Sequence, residues 1–113
     1  MKFGVYLPTY AWRDLGFDQA ARVKTFARRA EELGFDAVSV NEHHQTAYGL
    51  MPSPIVTASA LARRTKKVKI AILGSALPLR SHPMMVAEEH AMIDVISGGR
   101  LISGVVRGSG AGY

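Results

Sequence analysis

The chain contains no cysteine. That excludes a disulfide scaffold, a thiolate metal site and a cysteine nucleophile, and it suits a reducing cytoplasm. Long apolar runs are also missing. Nothing approaches the ~20 residues of a membrane span. The apolar opening, Met1 to Pro8, is too short for a signal peptide and no small-residue cleavage pattern follows it. Aromatic residues are scarce, at 8%. Acidic residues are outnumbered, 9 against 14 Lys and Arg, which leaves a formal charge of +5. A basic balance can indicate nucleic acid, but no aromatics interleave with these cations. Arg22, Lys24, Arg28 and Arg29, then Arg63, Arg64, Lys66 and Lys67, fall where solvated helix faces put them. Several sit near expected helix C-termini, where cations suit the macrodipole. Neither nucleic acid nor a membrane is expected as a partner.

What is present is the profile of an ordinary globular domain: 113 residues, 48% hydrophobic and 20% charged. Four short apolar runs read as buried strands: Phe3–Leu7, Ala37–Asn41, Val68–Ser75 and Leu101–Arg107. Helical patterns separate them. The first runs from Asp18 to Leu33, with Val23, Phe26, Ala27, Ala30 and Leu33 on one face, Asp18 as N-cap and Gly34 just past the end. The second opens at Ser53-Pro54 and turns Ile55, Ala58, Leu61 and Ala62 inward. The third opens at His82-Pro83, carries Val86, Ile93 and Ile96, and stops at Gly98-Gly99.

Strand starts near 3, 36, 68 and 101 recur every 32–33 residues. An eight-unit (β/α)8 barrel of about 250 residues averages roughly 31 per unit. A doubly wound sheet can show the same period, so the spacing alone leaves both open. The order is β-α-β-α-β-α-β, and seven elements cannot close an eight-stranded barrel. The reading is therefore the N-terminal half of a (β/α)8 TIM-type barrel: one partial domain over residues 1–113, with hydrophobic strand edges left open.

Functional residues in barrels sit at the C-terminal ends of the strands. The second strand ends in Asn41-Glu42-His43-His44. Alternation puts Ser39, Asn41 and His43 on one face and Val38, Val40 and Glu42 on the other. The apolar set should face the helices, so His43 should face the interior. A histidine there can donate or accept a proton; equally, the pair can be a capped structural one. Adjacent histidines on a strand diverge, which argues against a metal. Arg107 shares parity with Ser103 and precedes Gly108-Ser109-Gly110-Ala111-Gly112. It suits a phosphate or carboxylate, or an ordinary ion pair. Leu73-Gly74-Ser75 ends the third strand, where glycine marks either close approach of a ligand or a plain strand exit. His82-Pro83 looks structural, and Met51, Met84, Met85 and Met92 look like packing.

Several stretches in order now resemble the bacterial luciferase-like flavin monooxygenases. They are Lys2-Phe3-Gly4-Val5, Ala30 to Asp36, Glu42-His43-His44 with Gly49-Leu50 and Pro54, Leu77-Pro78, His82-Pro83, Glu88, Asp94 through Ser97-Gly98-Gly99-Arg100, and Val106-Arg107-Gly108. The resemblance implies a (β/α)8 barrel that uses reduced FMN, or in one branch a reduced deazaflavin. With FMN, dioxygen is activated to oxygenate a small organic substrate, and a separate flavin reductase supplies the reduced cofactor. By the same resemblance His43 matches a proton-handling histidine, Arg107 an arginine near the flavin phosphate, and Leu73-Gly74-Ser75 the site of a non-prolyl cis peptide beside the ring. The alternatives are a deazaflavin-dependent hydride-transfer enzyme on the same scaffold and a non-catalytic flavin-binding or assembly protein. A homo-oligomer in the cytoplasm is expected.

Overall fold

Side-chain alternation along the strands decides which face of the sheet is covered. The computed structural model describes residues 1–7, 18–45, 49 and 51–108. Within them the chain forms β1 (Gly4–Tyr6), α1 (Gln19–Glu32), β2 (Ala37–Val40), α2 (Pro54–Arg64), β3 (Lys69–Ile72), β4 (Ser75–Ala76), α3 (Pro83–Ser97), β5 (Leu101–Ile102) and β6 (Val105–Val106), with a 3-10 turn at Leu77–Leu79. The four-stranded sheet runs β1-β2-β3-β5, every pair parallel. Strands in chain order with a helix between successive members are the βα units of a barrel wall.

Val38, Val40, Ile70 and Ile72 point to one side and join Ala27, Ala30, Ala58, Leu61, Ala62 and Ile93 of the helices in a single core. α1 packs on α2 and α2 on α3, so the three helices form one layer on that face. The other face carries Gly4, Ser39, Ala71 and the half-exposed Ile102 (47%). A doubly wound sheet, with helices on both faces, is thereby excluded for the described residues. Burying each large aliphatic side chain in this layer stabilises the fold by about 1.5–3 kcal/mol.

The helix ends follow their caps. Asp18 accepts from Ala21 N–H at 3.0 Å, Ser53 from Val56 N–H at 3.4 Å, and His82 Nδ1 from Met84 N–H at 3.1 Å. α3 ends on Gly98 in the left-handed region, φ 71°. Two assignments of inward faces need correction. Leu33 is 60% exposed because it lies in the C-cap turn rather than on the helix. Ile96 is 58% exposed, because the buried stripe of α3 runs through Val86, His90, Ile93 and Ser97. Val23 and the glycine-rich turn from Ser109 to Tyr113 lie outside what can be described.

The third and fourth strands also differ from the uninterrupted runs read from the sequence. Each is broken near its C-terminal end. β3 gives way to Leu73-Gly74 and then β4; β5 gives way to Ser103-Gly104 and then β6. Ile70 pairs with Leu101, 31 residues on, but Ser75 pairs with Val105, 30 residues on. The third strand thus holds one extra residue between the two ladders, as a bulge does. The glycines make this possible. A Cβ on Gly104 would run into the Ile72 carbonyl oxygen, and one on Gly74 would lie 2.9 Å from the Gly104 carbonyl. The Leu73–Gly74 peptide, one of the two named from the sequence for an unusual bond, is cis.

Buried polar groups tie the strand starts together. Arg100 reaches back to α2: its guanidinium donates to the carbonyls of Ala62, Thr65, Val68 and Ser97 and to Thr65 Oγ1, at 2.7–3.1 Å. It satisfies the end of α2, whose last carbonyls have no helical partner. Glu31 accepts from the N–H groups of Lys66, Lys67 and Val68. Burial alone would raise its pKa, but these N–H groups and the Arg100 charge hold it below its ordinary value.

Candidate functional site

The C-terminal ends of β2, β4 and β6 lie together, joined by side chains from the loops that leave them. Glu42 is the centre. Its side chain is 2% exposed. It accepts from Ala76 N–H at 3.0 Å, which ties the exit of β2 to β4. Its oxygens also face His44 Nε2 at 2.6 Å and Arg80 Nη2 at 2.8 Å. The Arg80 contact is a charge pairing at short range; the N–H direction is poorly aligned, and Nε and Nη2 make no well-formed hydrogen bond. Burial pushes the Glu42 pKa up, yet the Ala76 N–H, His44 and Arg80 together bring it below its ordinary value. Glu42 is therefore a buried carboxylate anchor.

His43 and His44 diverge, as alternation requires. His44 turns to Glu42, while His43 Nε2 lies 2.6 Å from Asn41 Nδ2. As placed, the Asn41 amide donates to Nε2, which leaves the ring proton of neutral His43 on Nδ1. Backbone contacts fix both the main chain and the ring of His43. His43 N–H donates to Met51 O at 2.9 Å. Gly49 packs on the imidazole so closely that a Cβ there would lie 2.8 Å from Cδ2. Asn41 is on the same side of β2 as Ser39, the face away from the helices. Its Oδ1 is buried and has no hydrogen-bond partner among the described residues, an acceptor left for something else.

Leu73, Gly74 and Ser75 do not act alike. Leu73 is 60% exposed and Gly74 is buried against Gly104. Ser75 is fully buried, and its hydroxyl meets His90 Nε2 of α3 at 3.0 Å. The Ser75 side chain therefore faces the helix layer; what this segment can offer a ligand is Leu73 and backbone. Ser103 also turns to α3, its hydroxyl 2.6 Å from His90 Nδ1. The parity inferred for Arg107 from Ser103 fails for that reason: the strand is interrupted between them at Gly104. Arg107 follows β6 directly and is exposed.

His90 is the residue that sequence reading missed. The only signal was its place on the buried stripe, four residues after Val86 and three before Ile93. It is 5% exposed. Burial lowers its pKa, Glu89 raises it and Arg80 lowers it further; the net is below the ordinary value, which favours the neutral imidazole.

At the opposite end of the sheet lies an open depression of about 640 Å³, lined by Lys2, Phe3, Phe35, Asp36, Lys67 and Ile102 among others. Its carboxylates are committed to backbone: Asp36 to Phe3 N–H and Glu31 to the 66–68 turn. It is the strand-start end, where no polar cluster is arranged for chemistry. Among the described residues no group of His, Asp and Glu is placed to hold a metal ion, and no helix is long and apolar enough to cross a membrane.

Residues 1–112 match the family model described as luciferase-like monooxygenase. The chain belongs to that family. An alkanal monooxygenase alpha chain of Photorhabdus luminescens is 39% identical over 111 residues, 96% of this chain and 30% of the relative. The oxygenating constituent of 3,6-diketocamphane monooxygenase from Pseudomonas putida, solved with FMN, superposes with a TM-score of 0.83 at 25% identity, covering 96% of this chain and 30% of that one. A coenzyme F420-dependent tetrahydromethanopterin reductase from Methanopyrus kandleri superposes with a TM-score of 0.73 at 27% identity, covering 96% of this chain and 27% of that one. The chain thus spans about 30% of the length of the luciferase-like relatives it matches. Within the family fold, these residues supply the βα units that carry β1 to β6.

Proposed function

We propose that the protein carrying these residues is a flavin-dependent monooxygenase that uses reduced FMN and dioxygen to oxidise a small organic substrate. The observation that carries this reading is the strand-end constellation on a luciferase-like scaffold: His43 held by Asn41, with Asn41 Oδ1 beside it and without a hydrogen-bond partner among the described residues. A flavin has an apolar ring, a ring N–H and a phosphate. Exposed Leu73 offers apolar surface, Asn41 Oδ1 an acceptor and Arg107 a cation. The residues present fit such a group. When bound, reduced flavin supplies the electrons that activate dioxygen. His43, held by Asn41, would hold or deliver a proton for the reaction. Leu73 and the backbone of Gly74 would hold the ring and keep water from it. Arg107 would hold the phosphate.

A deazaflavin-dependent hydride transfer is the second reading, supported by the likeness to the F420-dependent reductase. The same three features would serve a deazaflavin, so the cofactor is decided by experiment. A separate reductase as redox partner, a cytoplasmic location and a homo-oligomer complete the proposal. For the last, the outward side of α3 offers exposed Met84, Met92 and Val95, opposite the buried Val86, His90 and Ile93. The test is oxygen uptake by the full-length protein given reduced FMN and a panel of small carbonyl and aromatic compounds. Substrate-dependent uptake that falls with His43→Ala supports it; reduction or oxidation of F420 with no oxygen uptake favours the second reading.

A further inference from the structure

His90 has no part in the chemistry proposed above, yet its side chain spans the break in the sheet. β3 and β5 end at one register and β4 and β6 resume at another. Backbone holds the junction through Ser75 N–H to Gly104 O, 2.8 Å, and through the contact of two glycines. Neither glycine has a side chain to lock the offset. The lock comes from α3. His90 Nε2 meets Ser75 Oγ at 3.0 Å on one side of the break and Nδ1 meets Ser103 Oγ at 2.6 Å on the other. The imidazole is buried at 5% exposure, and Ser75 is fully buried.

We propose that His90 is a positioning residue for the ligand-facing Leu73–Ser75 backbone, holding Ser75 and Ser103 across the register break so that Leu73 and Gly74 keep one placement at the strand ends. This rests on the flavin reading, which assigns that backbone to the wall of the cofactor site. A neutral imidazole suits the task because it is donor at one nitrogen and acceptor at the other. One serine hydroxyl accepts from it and the other donates to it, so the bridge has a direction. An aliphatic residue would fill the volume and hold neither serine. A buried network of this kind rigidifies what it joins only when every member is satisfied. Supporting residues behind a site are what keep its geometry tight.

The experiment uses the full-length protein and FMN as probe, oxidised and dithionite-reduced. Variants are His90→Leu, His90→Gln, which keeps an amide near the Nε2 position, and the triple apolar variant His90→Leu with Ser75→Ala and Ser103→Ala. Melting temperature, FMN affinity by fluorescence quenching and the visible circular dichroism of bound FMN are read on each. His90→Leu alone leaves two hydroxyls without their partner and lowers the melting temperature; removing all three polar groups together recovers much of it. The positioning role requires that FMN binding stay weakened about tenfold in the triple variant, with an altered dichroism band, while His90→Gln recovers part of both. If affinity and dichroism return with stability in the triple variant, His90 is structural only and the inference is overturned. If the parent protein binds no flavin at all, the failure belongs to the flavin reading instead.

Discussion

Replacing Glu42 by Gln tests the buried anchor with almost no change of shape. Glu42 holds three partners: Ala76 N–H at 3.0 Å, His44 at 2.6 Å and Arg80 at 2.8 Å. Gln keeps an oxygen for the Ala76 N–H but loses the charge that draws in the other two. A hydrogen bond to a charged group contributes about 1.5–3 kcal/mol, and removing one partner of a buried pair costs about 3–5 kcal/mol. Arg80 and His44 are 23% and 27% exposed, so water recovers part of the loss. The expected cost of Glu42→Gln is therefore about 2–3 kcal/mol, below the ~3–5 kcal/mol of a fully buried pair. Glu42→Ala also strands the Ala76 N–H and should cost about 3–5 kcal/mol. Urea unfolding of the full-length protein reads both as a shift of midpoint at unchanged slope. The pH dependence has a definite sign. Because the folded pKa of Glu42 is below its ordinary 4.5, its stabilisation is present above that value and is lost as pH falls through the folded pKa. Glu42→Gln should flatten that part of the acid limb. Variants within about 0.5 kcal/mol of the parent, with an unchanged acid limb, would refute the anchor.

Gly104→Ala must push its methyl group into the Ile72 carbonyl oxygen, so it should cost about 3 kcal/mol, the upper end of the usual overpacking range or beyond it, and weaken FMN binding; calorimetry and fluorescence quenching check both. Arg100→Lys replaces a planar fork by a point charge and leaves several of the carbonyls of Ala62, Thr65, Val68 and Ser97 without a donor, an expected loss of about 2–4 kcal/mol in urea unfolding. His90 has a folded pKa below its ordinary 6.5, so the unfolded chain takes up the proton first and stability should fall as pH drops below 6.5; His90→Leu should lack this part of the dependence, measured as the pH profile of the melting temperature. Asn41→Leu should weaken FMN binding by the loss of one hydrogen bond, about 0.5–1.5 kcal/mol, and reduce turnover about 10²-fold, with a shifted pH–rate profile, because His43 loses the donor that sets its tautomer.

Much of the wall was legible in the sequence because its signals are local. Parallel strands buried on the helix side, such as Val38 to Val40 and Ile70 to Ile72, are short apolar runs, and Asp18, Ser53 and His82 mark the helix starts within a residue. The breaks in the third and fourth strands were not legible. Gly74 and Gly104 are separated by thirty residues, and each reads as an ordinary glycine until the two backbones are brought together. The parity argument from Ser103 does not reach Arg107 for the same cause, since alternation carries across a strand only while it is continuous. His90 stands next to Glu88 and Glu89, so its neighbours suggest a surface position. Its burial is decided by the geometry of α3 over Ser75 and Ser103. Glu42 was visible only as part of a motif. That its carboxylate reaches Ala76 and Arg80 depends on how the exit of β2 meets the exit of β3.

The most direct test of a flavin site at these strand ends is an equilibrium titration of the full-length protein with FMN and with F420, parent against Arg107→Gln. One saturable site for a flavin, weakened about tenfold (~1.4 kcal/mol) by the substitution while the melting temperature is unchanged, is the expected result. No saturable binding of either cofactor, or binding indifferent to Arg107, would contradict it.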